Sequence, residues 1–345
     1  MLGDCPDLKV HSLPMSGDTI EPMPISRANL TRGYTLALIS AAFLSTTAIF
    51  IRYLTQTFQL PALVLACWRD GFVALTLLLV LGFRQRTLLS VPRKDWRYLL
   101  IYGLVLAVFN SLWTLSVALN GAAVSTVLAY SSAGFTALLG RLFLKEELGW
   151  GKILAVVFSL AGCVLVAGAH DPQVWQTNTL GLLTGIGSGL LYAVYTLLGR
   201  SASQRGLNPW TTVLYTFGFA AVILLGFNLL PGGILPGAAV RPADLFWLGD
   251  AWIGWLALFL LAAVPTLLGF GLYNSSLIYL PSSVANLIVT LEPVFTAVIA
   301  YLLFGEILTA VQILGGLLIL AGVVFLRIYE GAASVEQNRK VLVDS

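Results

Sequence analysis

Residues 133–146 read AGFTALLGRLFLKE, and residues 293–306 read PVFTAVIAYLLFGE. Laid over each other without a gap, they share Phe-Thr-Ala, a leucine at 142 and 302, and a closing glutamate, Glu146 against Glu306. This register, an offset of 160, extends in both directions to align 116–166 on 276–326. It pairs Val124 with Val284, Ile153-Leu154 with Ile313-Leu314, and Leu160-Ala161-Gly162 with Leu320-Ala321-Gly322. Earlier in the chain the offset is 148, with Gly33 on Gly181, Arg52 on Arg200 and Pro61 on Pro209. The difference of twelve is an insertion in the Gly/Pro-rich segment 230–250 of the second copy. Self-similarity in a fixed register exposes duplicated architecture. A background of Leu, Ala and Val does not account for matched Glu, Arg, Pro and Gly.

The 345 residues are 58% hydrophobic and only 10% charged, with mean hydropathy +0.89. That balance excludes a soluble chain of two domains and makes the bilayer the solvent. Crossing roughly 30 Å of hydrocarbon takes about 20 apolar residues at about 1.5 Å each. Ten such runs occur, at 33–51, 61–82, 98–118, 123–144 and 153–168 in the first copy, and at 180–198, 211–230, 252–272, 284–304 and 311–328 in the second. The expected fold is an all-α membrane protein with ten transmembrane helices. Residues 33–168 and 180–328 form its two five-helix repeats. Five is odd, so the second repeat enters from the opposite face and the two are inverted.

Lys and Arg fix the orientation. Of 19, Arg52 and Arg241 alone fall on one side, Arg69 lies within a span, and the rest collect on the other side, which is therefore cytoplasmic together with both termini. Residues 1–30 lack a cleavable apolar core and carry Asp4, Asp7, Asp18 and Glu21, which argues against a transit peptide. A disordered tail is expected there, with Met15 and Met23 as alternative starts, and a second cytoplasmic tail over 329–345. Cys5, Cys67 and Cys163 have no CxxC spacing and no neighbouring His, so neither a disulfide framework nor a metal site nor a cofactor is expected.

With these elements in place the chain resembles the drug/metabolite transporter (DMT) superfamily, specifically the EamA-type family with two EamA repeats. The resemblance covers roughly 33–326 and is most specific in the fourth and ninth helices quoted above. One departure is Ala133, where the family often has the proline that Pro293 supplies in the second repeat. It leaves open whether the fourth helix is kinked. The resemblance implies secondary transport of metabolites across a cell membrane. A bacterial inner membrane is the expected location.

An ionisable group deep in a span costs about 2.5 to 3.5 kcal/mol on insertion scales. Arg69 and Asp70 lie eight and nine residues into the second span and Glu292 eight into the ninth, so all three sit near mid-depth. Neighbouring helical positions point about 100° apart, so Arg69 and Asp70 cannot both face one cavity, and a partner on another helix is needed for at least one. Arg69 is expected to anchor a carboxylate or other anion, or else to form a structural ion pair. Glu292 is expected to accept a proton or an amine. Their repeat positions hold Phe217 and Ser132. Pro293 should bend the ninth helix beside Glu292 by depriving the Val289 carbonyl of its partner. Asn110, Trp113, Tyr130, Ser131, Ser132, Tyr192, Tyr195, Tyr273, Asn274, Asn286 and Thr290 recur at compatible depth, part of them expected to line a path and part to pack. Gly181, Gly185 and Gly189 form a ridge for close helix packing. Glu146 and Glu306, at span ends, should cap helices or meet loop cations.

The reading is a secondary transporter of small organic, amino-acid-like or amphiphilic solutes by alternating access, export being the expected direction. Its partners are a small-molecule substrate, the lipid bilayer and protons as coupling ion, with no nucleic acid. The alternative is a non-transporting membrane scaffold or receptor. An intramembrane enzyme would need a nucleophile with a base or a metal constellation, and no HExxH or GxSxG occurs.

Overall fold

The computed structural model describes residues 27–175, 179–304 and 309–344. Among them the regular structure is helical throughout, with no strand. The first half comprises α1 (Arg27–Ser45), α2 (Thr47–Thr57), α3 (Ala62–Arg84), α4 (Arg93–Tyr130), α5 (Ser132–Phe143) and α6 (Trp150–Val166). The second comprises α7 (Thr179–Gln204), α8 (Pro209–Asn228), α9 (Trp252–Leu261), α10 (Leu267–Ser276), α11 (Ser282–Val289), α12 (Glu292–Phe304) and α13 (Ala310–Asp344). Seven of the described helical stretches are long and apolar enough to cross a membrane, and Trp150–Val166 is a shorter apolar helix. On α3, Leu63, Val73 and Leu77 are buried while Leu75, Leu78, Leu79 and Phe83 are exposed, an arrangement that only an apolar solvent tolerates.

Several expectations are corrected. The expected disordered tail overruns the start of the fold: α1 begins at Arg27 and Leu30 is already buried. Residues 1–26, with Met15, Met23 and Cys5, lie outside the described residues, as does Glu306. The seventh run starts two residues early because Asn208 caps α8, its side chain accepting from the Trp210 N–H, with Pro209 in the first turn. The fourth and ninth runs are not single helices. α11 stops at Val289 and α12 starts at Glu292, and in the same register α4 stops at Tyr130 and α5 starts at Ser132.

The two interruptions match bond for bond. Leu291 N–H donates to the Ile288 carbonyl at 3.1 Å, and its repeat mate Ser131 donates to Leu128 at 3.2 Å. Pro293 accounts for the second break. In the first, where Ala133 stands, the Ser131 hydroxyl turns back onto the Leu128 carbonyl, so side-chain competition for the backbone does the work of the proline. The fourth helix is thus interrupted without it.

α4 holds a reversal. The Ser116 hydroxyl lies 2.9 Å from that of Ser125, whereas nine residues of straight helix rise about 13.5 Å. The chain therefore folds back between them, as expected for separate third and fourth runs.

The halves exchange contacts. α7 packs on α4 and α5, and α1 packs on α10 and α11, so the first helix of each half rests on the third and fourth runs of the other. The closing helices α6 and α13 repeat the exchange at closer range. A Cβ on Gly162 would meet the Gly315 carbonyl oxygen at 2.6 Å, and one on its mate Gly322 would meet the carbonyl oxygen of Ala155, the mate of Gly315, at 3.0 Å. Such reciprocity is the mark of a two-fold relation. We expect Gly162→Val to lower thermal stability in detergent by about 1–3 kcal/mol through overpacking against backbone that cannot yield. Gly82→Ala, with nothing within 4 Å of the new methyl, should cost nothing. Equal melting temperatures for the two variants would contradict the packing described.

Candidate functional site

Both halves contribute to one partly open cavity. Its lining joins Arg69 of α3, Asn110, Trp113 and Tyr130 of α4, Tyr192 of α7 and Glu292 at the start of α12. These six of the expected site residues come together. Leu44, Thr47, Phe109, Thr126, Ala129 and Phe270 complete the wall.

The charged groups are held differently. Arg69, 4% exposed, donates through Nε to Asp70 Oδ1 at 3.1 Å, and Asp70, 0% exposed, accepts at its other oxygen from Asn110 Nδ2 at 2.8 Å. The two side chains meet at that bond and part beyond it. Arg69 reaches the cavity, and Asp70 turns toward α4, whose Asn110 is the partner on another helix. Arg69 Nη2 also lies 3.1 Å from Asp70 Oδ1, but it is not aligned for a hydrogen bond and remains an unsatisfied buried donor. The charge is thus paired while one donor is spare. A direct Arg69–Glu292 pair, which the sequence allowed, does not form: among the described residues the guanidinium is paired with Asp70, and the Glu292 carboxyl interacts with the Tyr130 hydroxyl.

Breaks in helices make the room. Between α1 and α2 the hydroxyls of Ser45 and Thr46 bond back to the carbonyls of Ala42 and Phe43 at 2.7 and 2.8 Å, which opens the helix there. Thr47, just beyond, presents a buried hydroxyl oxygen with no hydrogen-bond partner. Across the cavity, Pro293 leaves the carbonyls before it without their usual donors. Val294 N–H bonds to Leu291 instead, and the Thr290 carbonyl receives the Cys163 thiol at 3.8 Å. Aromatic rings close the sides, Phe109 stacking on Tyr192 with centroids 5.2 Å apart.

The remaining expected site residues do not line this cavity. Pro293 and Asp70 are buried outside the cavity wall. Ser132, Tyr273, Asn274 and Asn286 sit in a closed hydrogen-bonded layer, in which Ser132 Oγ donates to Asn286 Oδ1 at 3.1 Å and Asn274 Nδ2 donates to Tyr195 Oη at 2.9 Å. Thr47 and Thr126 were not singled out from the sequence. The run Ser45-Thr46-Thr47 in the middle of an apolar span was the available clue.

Two other expectations find their places. Gly185 and Gly189 lie against Leu128 and Ser131 of the α4–α5 run with no space for a Cβ, as a packing ridge should. Glu146 caps α11: its carboxylate accepts the backbone N–H groups of Ser282 and Ser283 at 2.6 and 3.2 Å and both their hydroxyls at 2.7 Å.

Comparison with known proteins adds to this geometry. The profile of the EamA-like transporter family matches residues 31–168 and 179–328. An uncharacterized transporter of Archaeoglobus fulgidus is 27% identical over 305 residues, which is 84% of this chain and 94% of the relative. The uncharacterized inner membrane transporter YicL of Salmonella typhimurium is 26% identical, covering 86% of this chain and 95% of its own. The threonine/homoserine exporter RhtA of Salmonella typhimurium is 26% identical over 70% of this chain and 75% of its own. A solved crystal structure superposes with a TM-score of 0.67 over 87% of this chain and 98% of its own, at 16% identity, and so shares the fold.

Proposed function

The chain belongs to the EamA-like transporter family, and from that premise we propose that it is a secondary transporter that exports small, amino-acid-like organic solutes. In this reading the ten apolar runs all cross the bilayer and the two repeats are inverted. Both termini lie in the cytoplasm of a bacterial cell, and solute passes by alternating access. Protons are the coupling ion, and Glu292 is the group that carries them.

The observation that carries the reading is the cavity shared by both halves. A mainly apolar and aromatic wall with a few fixed polar groups suits a small organic solute better than a bare ion. Arg69 and Thr47 both line this space, and the Arg69 guanidinium supplies the charge that a solute carboxylate would meet. Glu292 offers an acceptor for an amine across the same space. The name of RhtA, a threonine/homoserine exporter, supports the same class of solute.

Reconstituted in liposomes, the protein should exchange labelled threonine or homoserine against unlabelled solute saturably, above the rate of empty liposomes. No exchange of any amino acid in a panel of the common twenty plus homoserine would contradict the substrate class.

A further inference from the structure

Several residues of the cavity wall have repeat mates that are not in the wall, whereas Leu44 and Tyr192, and Asn110 and Phe270, are mates that both line it. In the offset of 148, Thr47 corresponds to Tyr195; in the offset of 160, Trp113 corresponds to Tyr273 and Thr126 to Asn286. The first of each pair lines the cavity. All three mates are buried and joined to other polar groups. The Tyr273 hydroxyl lies 2.7 Å from Thr196 Oγ1, to which Asn286 Nδ2 also donates at 3.2 Å, and the Tyr195 hydroxyl accepts from Asn274 at 2.9 Å. Under the two-fold relation seen in α6 and α13, the centre of the wall maps onto itself, and the part made by Thr47, Trp113 and Thr126 maps onto a closed seam.

Polar side chains inside a membrane bundle belong where they face the interior or a water-filled cavity. An interface that stays closed is more simply built from apolar residues. Groups that bond to one another when dry and to water when wet suit an interface that opens. The seam therefore has the composition of a wall like the one it mirrors.

A clasp closes the same end of the molecule. Glu146, following α5, holds the first turn of α11 through the four hydrogen bonds to Ser282 and Ser283. Beside it Arg200 of α7 donates to the carbonyls of Leu277 and Ile278 at 2.6 and 3.1 Å. Charge-assisted bonds of this kind are the stronger class. The repeat mates of Ser282 and Ser283 are Ala122 and Ala123, so the sequence supplies the clasp's hydroxyls in one repeat only.

Resting on the alternating-access reading above, we propose that Tyr195, Tyr273 and Asn286 form the second solute vestibule, closed in this structure, and that the Glu146 clasp on Ser282 and Ser283 holds it shut. Breaking the clasp shifts the protein toward the conformer in which the seam is wet and the present cavity is closed.

The test uses the full chain with Cys5, Cys67 and Cys163 replaced, carrying one new cysteine at Asn286 or at its mate Thr126, and an impermeant maleimide that reaches both faces of open membrane fragments. With the clasp intact, Thr126→Cys should label quickly and Asn286→Cys slowly. Adding Glu146→Gln, or independently Ser282→Ala with Ser283→Ala, should speed labelling at 286 by about tenfold, which corresponds to about 1.4 kcal/mol, and slow it at 126. Changes in opposite directions support the proposal. Unchanged rates, or rates that rise together in both clasp variants, overturn it. No solute enters the readout, so the result is separate from whether the liposomes carry an amino acid.

Discussion

Arg69→Met is expected to abolish solute exchange and to lower stability in detergent by about 3–5 kcal/mol, the usual cost of removing one partner from a buried ion pair. The loss falls on Asp70, which is 0% exposed and keeps only the amide of Asn110. Adding Asp70→Asn removes the stranded charge and leaves two amides, at 70 and 110, able to bond to each other. The double variant should therefore recover most of the melting temperature. It should not recover transport, because the guanidinium that lines the cavity is gone. A double variant that is stable and exchanges solute at the parent rate would make Arg69 a structural ion only.

Glu292→Gln is expected to have the opposite profile, a large functional effect with a small structural one. Among the described residues Glu292 makes no ion pair, and its neighbour in the cavity is the Tyr130 hydroxyl, which an amide can also engage. The stability change should stay within about 1 kcal/mol. A carboxyl can take up and release a proton as the cavity changes sides, whereas an amide cannot. An imposed pH gradient should then drive solute accumulation in the parent protein and none in the variant, while exchange at equal pH persists in both. That exchange should be slower in the variant, whose amide oxygen accepts from a solute amine without the carboxylate's charge. Accumulation by Glu292→Gln equal to the parent would remove protons, or this carboxylate, from the mechanism.

Both predictions rest on positions that hydropathy locates well. A buried charge is conspicuous against a background of Leu and Val, and counting residues from a span end gives its depth, so Arg69 and Glu292 could be placed at one level before any coordinates. Glu146 was legible for a similar reason, as an acid where an apolar run ends and at the repeat position of Glu306. What depth does not give is direction around the helix. Tyr192 and Tyr273 have ring centroids 6.1 Å apart, yet one lines the cavity and the other is sealed among Thr196 and Asn286. That difference depends on which neighbour each helix packs against. The interruption at Ser131 stays open in the sequence because position 133 holds Ala where its mate is Pro293. The physical cause was a hydroxyl competing for a carbonyl, which also explains the break at Ser45 and Thr46 and the location of Thr47.

The claim under all of this is that two copies of one bundle sit upside down relative to each other around a shared polar space. Gln56 and Gln204 test it directly, since they are repeat mates in the 148 register and both are exposed, one near the end of α2 and the other closing α7. With the native cysteines replaced, Gln56→Cys should react with an impermeant thiol reagent added outside intact cells, and Gln204→Cys only after the cytoplasmic face is opened. Reaction of both from the same face would contradict the inverted arrangement and the transport mechanism built on it.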